Sequence, residues 1–288
     1  MKKIIRNILM LAIVSAAAIG CDKIDENNYI VYSGASGEWF DGTPVEDHSQ
    51  RAFLEKYTGV RCNNCPTADQ VIAAASSQYG DKLVVVSIHD SNTLQRPIGD
   101  SPDMRCPDGD TWSKALGVFG AGEYPMALVN RKPSGNGWER FNPVGGVSTQ
   151  IDEALAAAPS VALSLSADRV DASIDINVYI EYLSTLSGKQ TVTLLLIEDG
   201  IIATQKMPNH SDSAGYQHNH ILRDVITDLW GADIDANGQA GTCRKARFSY
   251  TAANQEWNLD RCHIIALVSD KESKKVYNSA QCSISAEK

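Results

Sequence analysis

The chain has 288 residues, of which 43% are hydrophobic and 21% are charged, and its formal net charge is −9. A chain this acidic does not attract nucleic-acid phosphates or anionic lipid headgroups electrostatically. We therefore expect no nucleic acid as a partner. Its length suggests two domains of ordinary size.

The N-terminus has the pattern of an export signal. Residues 1–20 carry a basic head and an apolar run that is too short to cross a bilayer. The run ends in AAIGC, which resembles the cleavage site of bacterial lipoproteins, so we predict that Cys21 is lipidated and anchors the protein in a membrane. An ordinary secretory signal is the alternative. Residues 21–36 are predicted to be a flexible tether, and their acids resemble the signals that send lipoproteins of the Bacteroidetes to the cell surface.

Six further cysteines follow Cys21. In an exported protein an even number of cysteines favours disulfides. A zinc site is disfavoured because the chain has one CxxC motif and no second pair at ligand spacing. We therefore expect no metal and no other cofactor. The six are Cys62, Cys65, Cys106, Cys243, Cys262 and Cys282.

Residues 37–158 alternate between strand-like and helix-like segments. One of the strand-like segments is a continuous apolar run, typical of a strand buried on both faces. The helix-like segments carry apolar residues on one face. A strand that returns after each helix predicts an α/β sheet with crossover connections. The predicted elements, strand first and then helix in alternation, lie at residues 51–59, 67–80, 82–90, 111–120, 124–132 and 147–158.

Residues 159–288 have a different pattern. Most of this half consists of strand-like runs with a period near two, separated by turn sequences, and this pattern predicts an all-β immunoglobulin-like sandwich. The stretch from His218 to Gly241 is part strand and part loop. The domain boundary is predicted at the proline that ends the last helix-like segment, Pro159.

The CxxC motif, Cys62 to Cys65, lies between a predicted strand and a predicted helix, whose N-terminus would stabilise a thiolate. Pro125 follows about sixty residues later and begins a predicted strand. In the thioredoxin fold a cis-proline at this place faces the cysteine pair and receives an extended segment of the partner protein. The chain order therefore resembles a thioredoxin-like domain over residues 37–158, and the resemblance implies a redox site made of Cys62, Cys65 and Pro125.

Several neighbours of the motif depart from redox-active thioredoxins. Two asparagines separate the cysteines, Pro66 replaces a usual basic residue, and Lys56 stands where thioredoxins bury an acid. Arg61 would lower the pKa of Cys62 by its charge. The resemblance therefore supports the fold more strongly than it supports efficient electron transfer.

A wider resemblance covers nearly the whole mature chain. The lipoprotein-like signal, the segment YTGVRCNNCPTA, the proline-strand segment and the segment YQHNHILRDV look like the Omp28-related outer-membrane lipoproteins of the Bacteroidetes. This family implies a two-domain arrangement and an outer-membrane location, with the cell surface favoured over the periplasmic side. The family resemblance does not imply a particular activity.

The cysteines of the second half are candidates for a second disulfide. Cys262 and Cys282 would face each other across a hairpin whose turn centres on Glu272, so a disulfide between them is a candidate beside Cys62–Cys65. Cys106 and Cys243 would then pair across the domain interface or remain free. Cys106 lies in a Pro-, Gly- and Asp-rich insertion and is either a third participant in thiol exchange or a structural cysteine.

Two functions fit these patterns. In the first, the protein is a surface binding or adhesion lipoprotein that recognises protein ligands, and its Cys62–Cys65 pair is structural. In the second, the protein is a thiol-disulfide oxidoreductase: Cys62 attacks a disulfide of an exported protein, Cys65 resolves the mixed disulfide, and Pro125 seats the substrate. The departures around the cysteines favour the first function.

Overall fold

The architecture is known from a computed structural model that describes residues 35, 37–119, 124–252, 254 and 256–286. The predicted signal peptide and the lipidation site Cys21 lie outside the described residues, as does nearly all of the predicted tether. All described residues belong to one compact unit. No helix among them has the length and apolar character needed to cross a bilayer.

Strands dominate the described residues, and three α-helices accompany them. The strands are β1 (Glu38–Asp41), β2 (Ala52–Tyr57), β3 (Leu83–Ile88), β4 (Met126–Val129), β5 (Pro133–Ser134), β6 (Gly137–Trp138), β7 (Val161–Val170), β8 (Ser173–Tyr182), β9 (Gln190–Glu198), β10 (Ile201–Lys206), β11 (Asp212–His218), β12 (Ile221–Val225), β13 (Ala232–Asp233), β14 (Cys243–Thr251), β15 (Cys262–Asp270) and β16 (Val276–Ala286). The helices are α1 (Cys65–Tyr79), α2 (Pro107–Ala115) and α3 (Pro143–Ala156).

Twelve of the strands form one mixed sheet. Its order is β1-β14-β8-β7-β16-β15-β9-β12-β3-β2-β4, and β13 adds to β9. β2 and β3 are parallel, whereas β4 runs antiparallel to β2. β12 joins the two halves of the chain because it pairs antiparallel with β9 and parallel with β3. The sheet thus crosses the predicted boundary at Pro159, and the division into domains 37–158 and 159–288 stays a prediction.

The middle strands of the sheet are buried on both faces. All nine residues of β9 are buried, as expected for a continuous apolar run. Leu194 and Leu196 on one face of β9 pack with side chains of β7, β8, β14 and β15 in one hydrophobic cluster. Leu195 and Ile197 on its other face pack with side chains of β2, β3 and α2 in a second cluster. Successive side chains of a strand point to opposite faces, so β9 divides the core in two.

The helix α1 is defined by signals in its own sequence. Pro66 lies in its first turn, where the missing N–H costs nothing. Ala68, Ile72 and Ala75 are buried at helical spacing against β2 and β3. Gly80, with φ of 57°, ends the helix. The prediction of a helix over residues 67–80 is confirmed within two residues at each end.

The helix α2 begins four residues earlier than predicted. Pro107 lies in its first turn, and Asp108 and Asp110 follow in the same turn. Their carboxylates interact favourably with the partial positive charge of the helix N-terminus. Lys114 lies in the last turn. The end of the Pro-, Gly- and Asp-rich insertion therefore forms the first turn of α2.

Candidate functional site

The cysteine pair lies where β2 leads into α1. Cys62 and Cys65 form a disulfide with their Cα atoms 5.5 Å apart, and Cys65 is the first residue of α1. The candidate Cys62–Cys65 disulfide is therefore present in the structure. The pair is nearly inaccessible, because Cys62 is 4% exposed and Cys65 is fully buried.

The turn before the disulfide is fixed by backbone contacts. The Arg61 N–H donates to the Leu94 carbonyl at 2.8 Å. The Arg61 guanidinium donates to the carbonyls of Arg96 and Pro97 at 2.9 and 2.6 Å, and the effect of its charge on Cys62 stays a prediction. Gly59 allows the close approach, because a Cβ there would lie 2.6 Å from the Leu94 oxygen.

The hairpin β10–β11 contacts the CxxC turn. The buried Gln205 amide donates to the carbonyl of Cys62 at 3.0 Å and to that of Gly59 at 3.3 Å. The Lys206 N–H donates to the Val60 carbonyl at 2.8 Å. These bonds tie the CxxC turn to a segment about 140 residues further along the chain. No local sequence pattern predicts this contact.

A buried polar cluster lies behind the pair, between the hairpin and α1. Lys56 forms an ion pair with Asp69 of α1, and the Tyr216 hydroxyl donates to the second Asp69 oxygen at 2.8 Å. Burial raises the pKa of Asp69, but the Lys56 charge and the hydrogen bonds outweigh it, so its pKa is lowered overall. The Asp69 carboxylate is thus ionised, and Lys56 balances its charge. A carboxylate with a lowered pKa is a weak base, so Asp69 is poorly suited to accept a proton from a cysteine thiol.

Two histidines extend this cluster. The rings of His89 and His218 lie 6.2 Å apart, and both residues are buried. Burial lowers the pKa of His218 to about 4 and lowers that of His89 well below its usual value. Both rings are therefore neutral near pH 7. Within the described residues, no group of three or more His, Cys, Asp or Glu side chains is placed to hold a metal ion.

Pro125 lies on the same side of the core as the disulfide. The Tyr124–Pro125 peptide bond is cis, and both residues are buried. Tyr124 packs in the hydrophobic cluster that contains Cys62 and Cys65, and its hydroxyl donates to Asp90 Oδ2 at 2.6 Å. Tyr124, the neighbour of Pro125, thus shares a cluster with the two cysteines, and all three predicted site residues are buried.

The other four cysteines of the described residues are free thiols. Cys106 is buried, its thiol donates to the Arg223 carbonyl at 3.7 Å, and burial raises its pKa to about 12. A thiol that stays protonated at neutral pH is a poor nucleophile, so the structure does not favour Cys106 as a third participant in exchange. Cys243 is partly exposed and also free.

The predicted Cys262–Cys282 disulfide is not formed, because both cysteines are free. The register of β15 and β16 places Cys282 opposite Ile264. The turn is centred between Glu272 and Ser273, since Ser269 pairs with Val276, and a register shift between Val268 and Ser269 displaces the two strands further. Cys262 becomes a diagonal neighbour of Cys282, at a separation of about 7–8 Å that is too long for a disulfide.

Comparisons with known proteins place the chain in a class of outer membrane proteins. A family model described as outer membrane protein Omp28 matches residues 113–288. Since this is more than half of the chain, the chain belongs to the Omp28 family, and the predicted family resemblance and outer-membrane location are confirmed. A search of curated proteins finds no match.

Solved structures share the fold at low sequence identity. HBP35 of Porphyromonas gingivalis is 15% identical with a TM-score of 0.65, over 83% of this chain and 76% of that one. A protein of Agrobacterium tumefaciens is also 15% identical, with a TM-score of 0.51 over 82% of this chain and 95% of that one. A domain of the outer membrane lipoprotein Omp28 from Porphyromonas gingivalis is 18% identical, with a TM-score of 0.33 over 46% and 93%. The first two show a common fold and no more.

Proposed function

We propose that this Omp28-family protein is a lipid-anchored binding or adhesion protein of the cell surface, in which Cys62–Cys65 is a structural disulfide. One observation carries the proposal: both cysteines are buried, and Gln205 of the hairpin β10–β11 donates to the Cys62 carbonyl. Thiol exchange needs a thiolate to reach a sulfur along an open path. A disulfide between two cysteines this deeply buried serves instead to hold the β2–α1 turn.

A thioredoxin-like scaffold under this site is part of the proposal. The parallel pair β2 and β3, joined by α1, with β4 antiparallel beside β2, supports such a scaffold for residues 37–158. The apolar cluster shared by β7, β8, β14, β9 and β15 supports a sandwich-like second half. In this arrangement the first half is a rigid support, and the lipid on Cys21 attaches the protein to the outer membrane.

The test measures how accessible the disulfide is to a reductant. We expect slow reduction by dithiothreitol in the native chain and a reduction potential below about −300 mV, the range of inert structural disulfides. Gln205→Ala should speed the reduction, because it removes the amide that closes the site. Gln217→Ala, which changes an exposed glutamine on the same hairpin, is the matched control and should leave the rate unchanged.

The second candidate function is thiol-disulfide exchange on exported proteins. The position of the pair at the N-terminus of α1 favours it, since this place stabilises a Cys62 thiolate. It requires the hairpin to move away. A Cys65→Ala chain that traps mixed disulfides in membrane extracts, with a wild-type potential between about −270 and −120 mV, would establish exchange and refute the structural role.

The anchor and its orientation have separate tests. We expect radioactive palmitate to label the chain and a Cys21→Ala variant to lose the label. A protease added to intact cells should degrade the wild-type chain if it faces outward. Protection until the cells are opened would show that it faces the periplasm.

A further inference from the structure

The hairpin β10–β11 is attached to the rest of the protein as a separate unit. Its two strands pair with each other and are not part of the twelve-stranded sheet. An ion pair holds the strands together, with Lys206 Nζ and Asp212 Oδ1 3.0 Å apart. The hairpin contributes two side chains, Ile201 and Ala203, to the hydrophobic clusters of the described residues. An element with so few buried apolar contacts belongs to the less stable parts of a fold.

The base of the hairpin is closed by one carboxylate. Asp199 precedes β10, and His220 follows β11. The His220 N–H donates to Asp199 Oδ1 at 2.6 Å, and the His220 Nδ1 lies 3.3 Å from the same oxygen. His263 of β15 places its Nε2 3.2 Å from Asp199 Oδ2. Burial lowers the pKa of His220, and Asp199 opposes this shift. The base therefore has a counterion for an added positive charge.

Two buried histidines meet on the inner side of the hairpin. His218 of β11 is 5% exposed, and His89, which follows β3, is 1% exposed. Both ring nitrogens of His89 and the Nε2 of His218 are buried without a hydrogen-bond partner in the described part of the chain. Five of the six histidines of the chain thus lie in the hairpin, at its base or against it, namely His89, His210, His218, His220 and His263.

The surroundings of the two inner rings favour neutral histidines. Burial lowers the pKa of His89 well below its usual value, and the positive charges of Lys56 and Arg223 act in the same direction. Asp69 of α1 opposes them, but Lys56 already forms an ion pair with this carboxylate. A proton on either ring would therefore add a buried charge without a free counterion, which is costly. The other titratable or charged groups that interact with the two rings are Lys56, Asp69, Asp103, Tyr216 and Arg223.

We propose that the hairpin β10–β11 is a flap that opens in acid and stays attached at its base beside Asp199. His218 belongs to the flap itself, so lifting the flap brings this ring into water, where it can take up a proton without an uncompensated buried charge. Opening breaks the Gln205 bonds to the CxxC turn and the Tyr216 bond to Asp69. The flap therefore offers different surfaces to partners in neutral and in acidic surroundings.

Hydrogen exchange of the full chain, measured by mass spectrometry at pH 7 and pH 5, tests the flap. Burial lowers the pKa of His218 to about 4, whereas an imidazole in water has a pKa of about 6.5. The closed flap is therefore fully favoured above about pH 6.5 and loses stability as the pH falls. The His218 ring alone shifts the opening equilibrium about twentyfold between the two pH values. After correction for the intrinsic exchange rate, amides of residues 201–218 should exchange at least about twentyfold faster at pH 5, while β9 and β15 stay protected.

Two variants and one measurement on the wild type identify the cause. His218→Gln should reduce the acceleration by about the same factor of twenty. His48→Gln is the matched control, because His48 is half-exposed and contacts Glu181 of β8, and it should behave like the wild type. In the unsubstituted chain, the NMR signal of the His218 ring should titrate over the same pH range in which the hairpin amides lose protection.

Three outcomes overturn the flap. They are equal corrected exchange of the hairpin at both pH values, an equal acceleration in β9 and β15, which would be global unfolding, and equal accelerations in the His218→Gln and His48→Gln chains. Each of these results leaves the role of the Cys62–Cys65 disulfide untouched, since its reduction potential and its mixed disulfides are measured separately.

Discussion

The buried ion pair between Glu55 of β2 and Arg131 offers the strongest test of the core. The two side chains are 0% and 1% exposed, and the Arg131 Nε and Nη2 donate to the two Glu55 oxygens at 2.9 and 2.8 Å. The guanidinium also lies 4.4 Å from the Trp112 ring centroid. Glu55→Gln removes the negative charge and leaves a buried cation without its counterion. Breaking a buried pair in this way costs about 3–5 kcal/mol. Since glutamine keeps one acceptor oxygen, we expect about 3 kcal/mol.

Urea denaturation is the suitable assay, because urea is uncharged and does not screen the ion pair. The matched control is Glu153→Gln, which breaks the exposed pair between Lys132 and Glu153 and should cost less than about 1 kcal/mol. A double change, Glu55→Leu with Arg131→Met, should be less destabilising than Glu55→Gln, since no unpaired charge remains. If Glu55→Gln and Glu153→Gln lower the free energy of unfolding equally, the pair is not buried as described.

Two further predictions concern protons and thiols. Because burial lowers the pKa of His218 from about 6.5 in the unfolded chain to about 4, the unfolded chain takes up the extra proton. The stability contributed by neutral His218 is full above pH 6.5 and falls by about 2 kcal/mol between pH 7 and 5, and His218→Gln should reduce this loss in urea titrations at the two pH values. Equal losses in both chains would contradict the burial of the ring. In native alkylation followed by mass spectrometry, Cys243 should react first, whereas Cys106 and Cys262 react only after unfolding. A peptide linking Cys262 to Cys282 would refute the free thiols.

The elements that the sequence predicts well are those stabilised by their own neighbours. The apolar run at residues 82–90 becomes β3, whose six residues are all buried, because a strand covered on both faces must be apolar throughout. The apolar positions of α1 repeat at helical spacing, and Pro66 and Gly80 mark its ends. Each of these signals lies within the segment it predicts, so no distant contact can change it.

The parts that the sequence does not reveal depend on distant partners. Gln205 and Tyr216 lie in polar, half-exposed strands, and nothing nearby shows that they close over Cys62 and Asp69. The predicted register of the β15–β16 hairpin is wrong for a related reason. The turn lies between Glu272 and Ser273, and the strands shift register between Val268 and Ser269, so Cys282 lies opposite Ile264 and not Cys262. Such an irregularity has no signal in the alternation of the two strands.

One stretch of chain, residues 199–231, links the CxxC turn to the pocket beside Trp230. It leaves β9, forms the hairpin that places Gln205 over the CxxC turn, and returns as β12 between β9 and β3. It then reaches Trp230 at the pocket wall. The same stretch therefore both contacts the CxxC turn and lines the pocket.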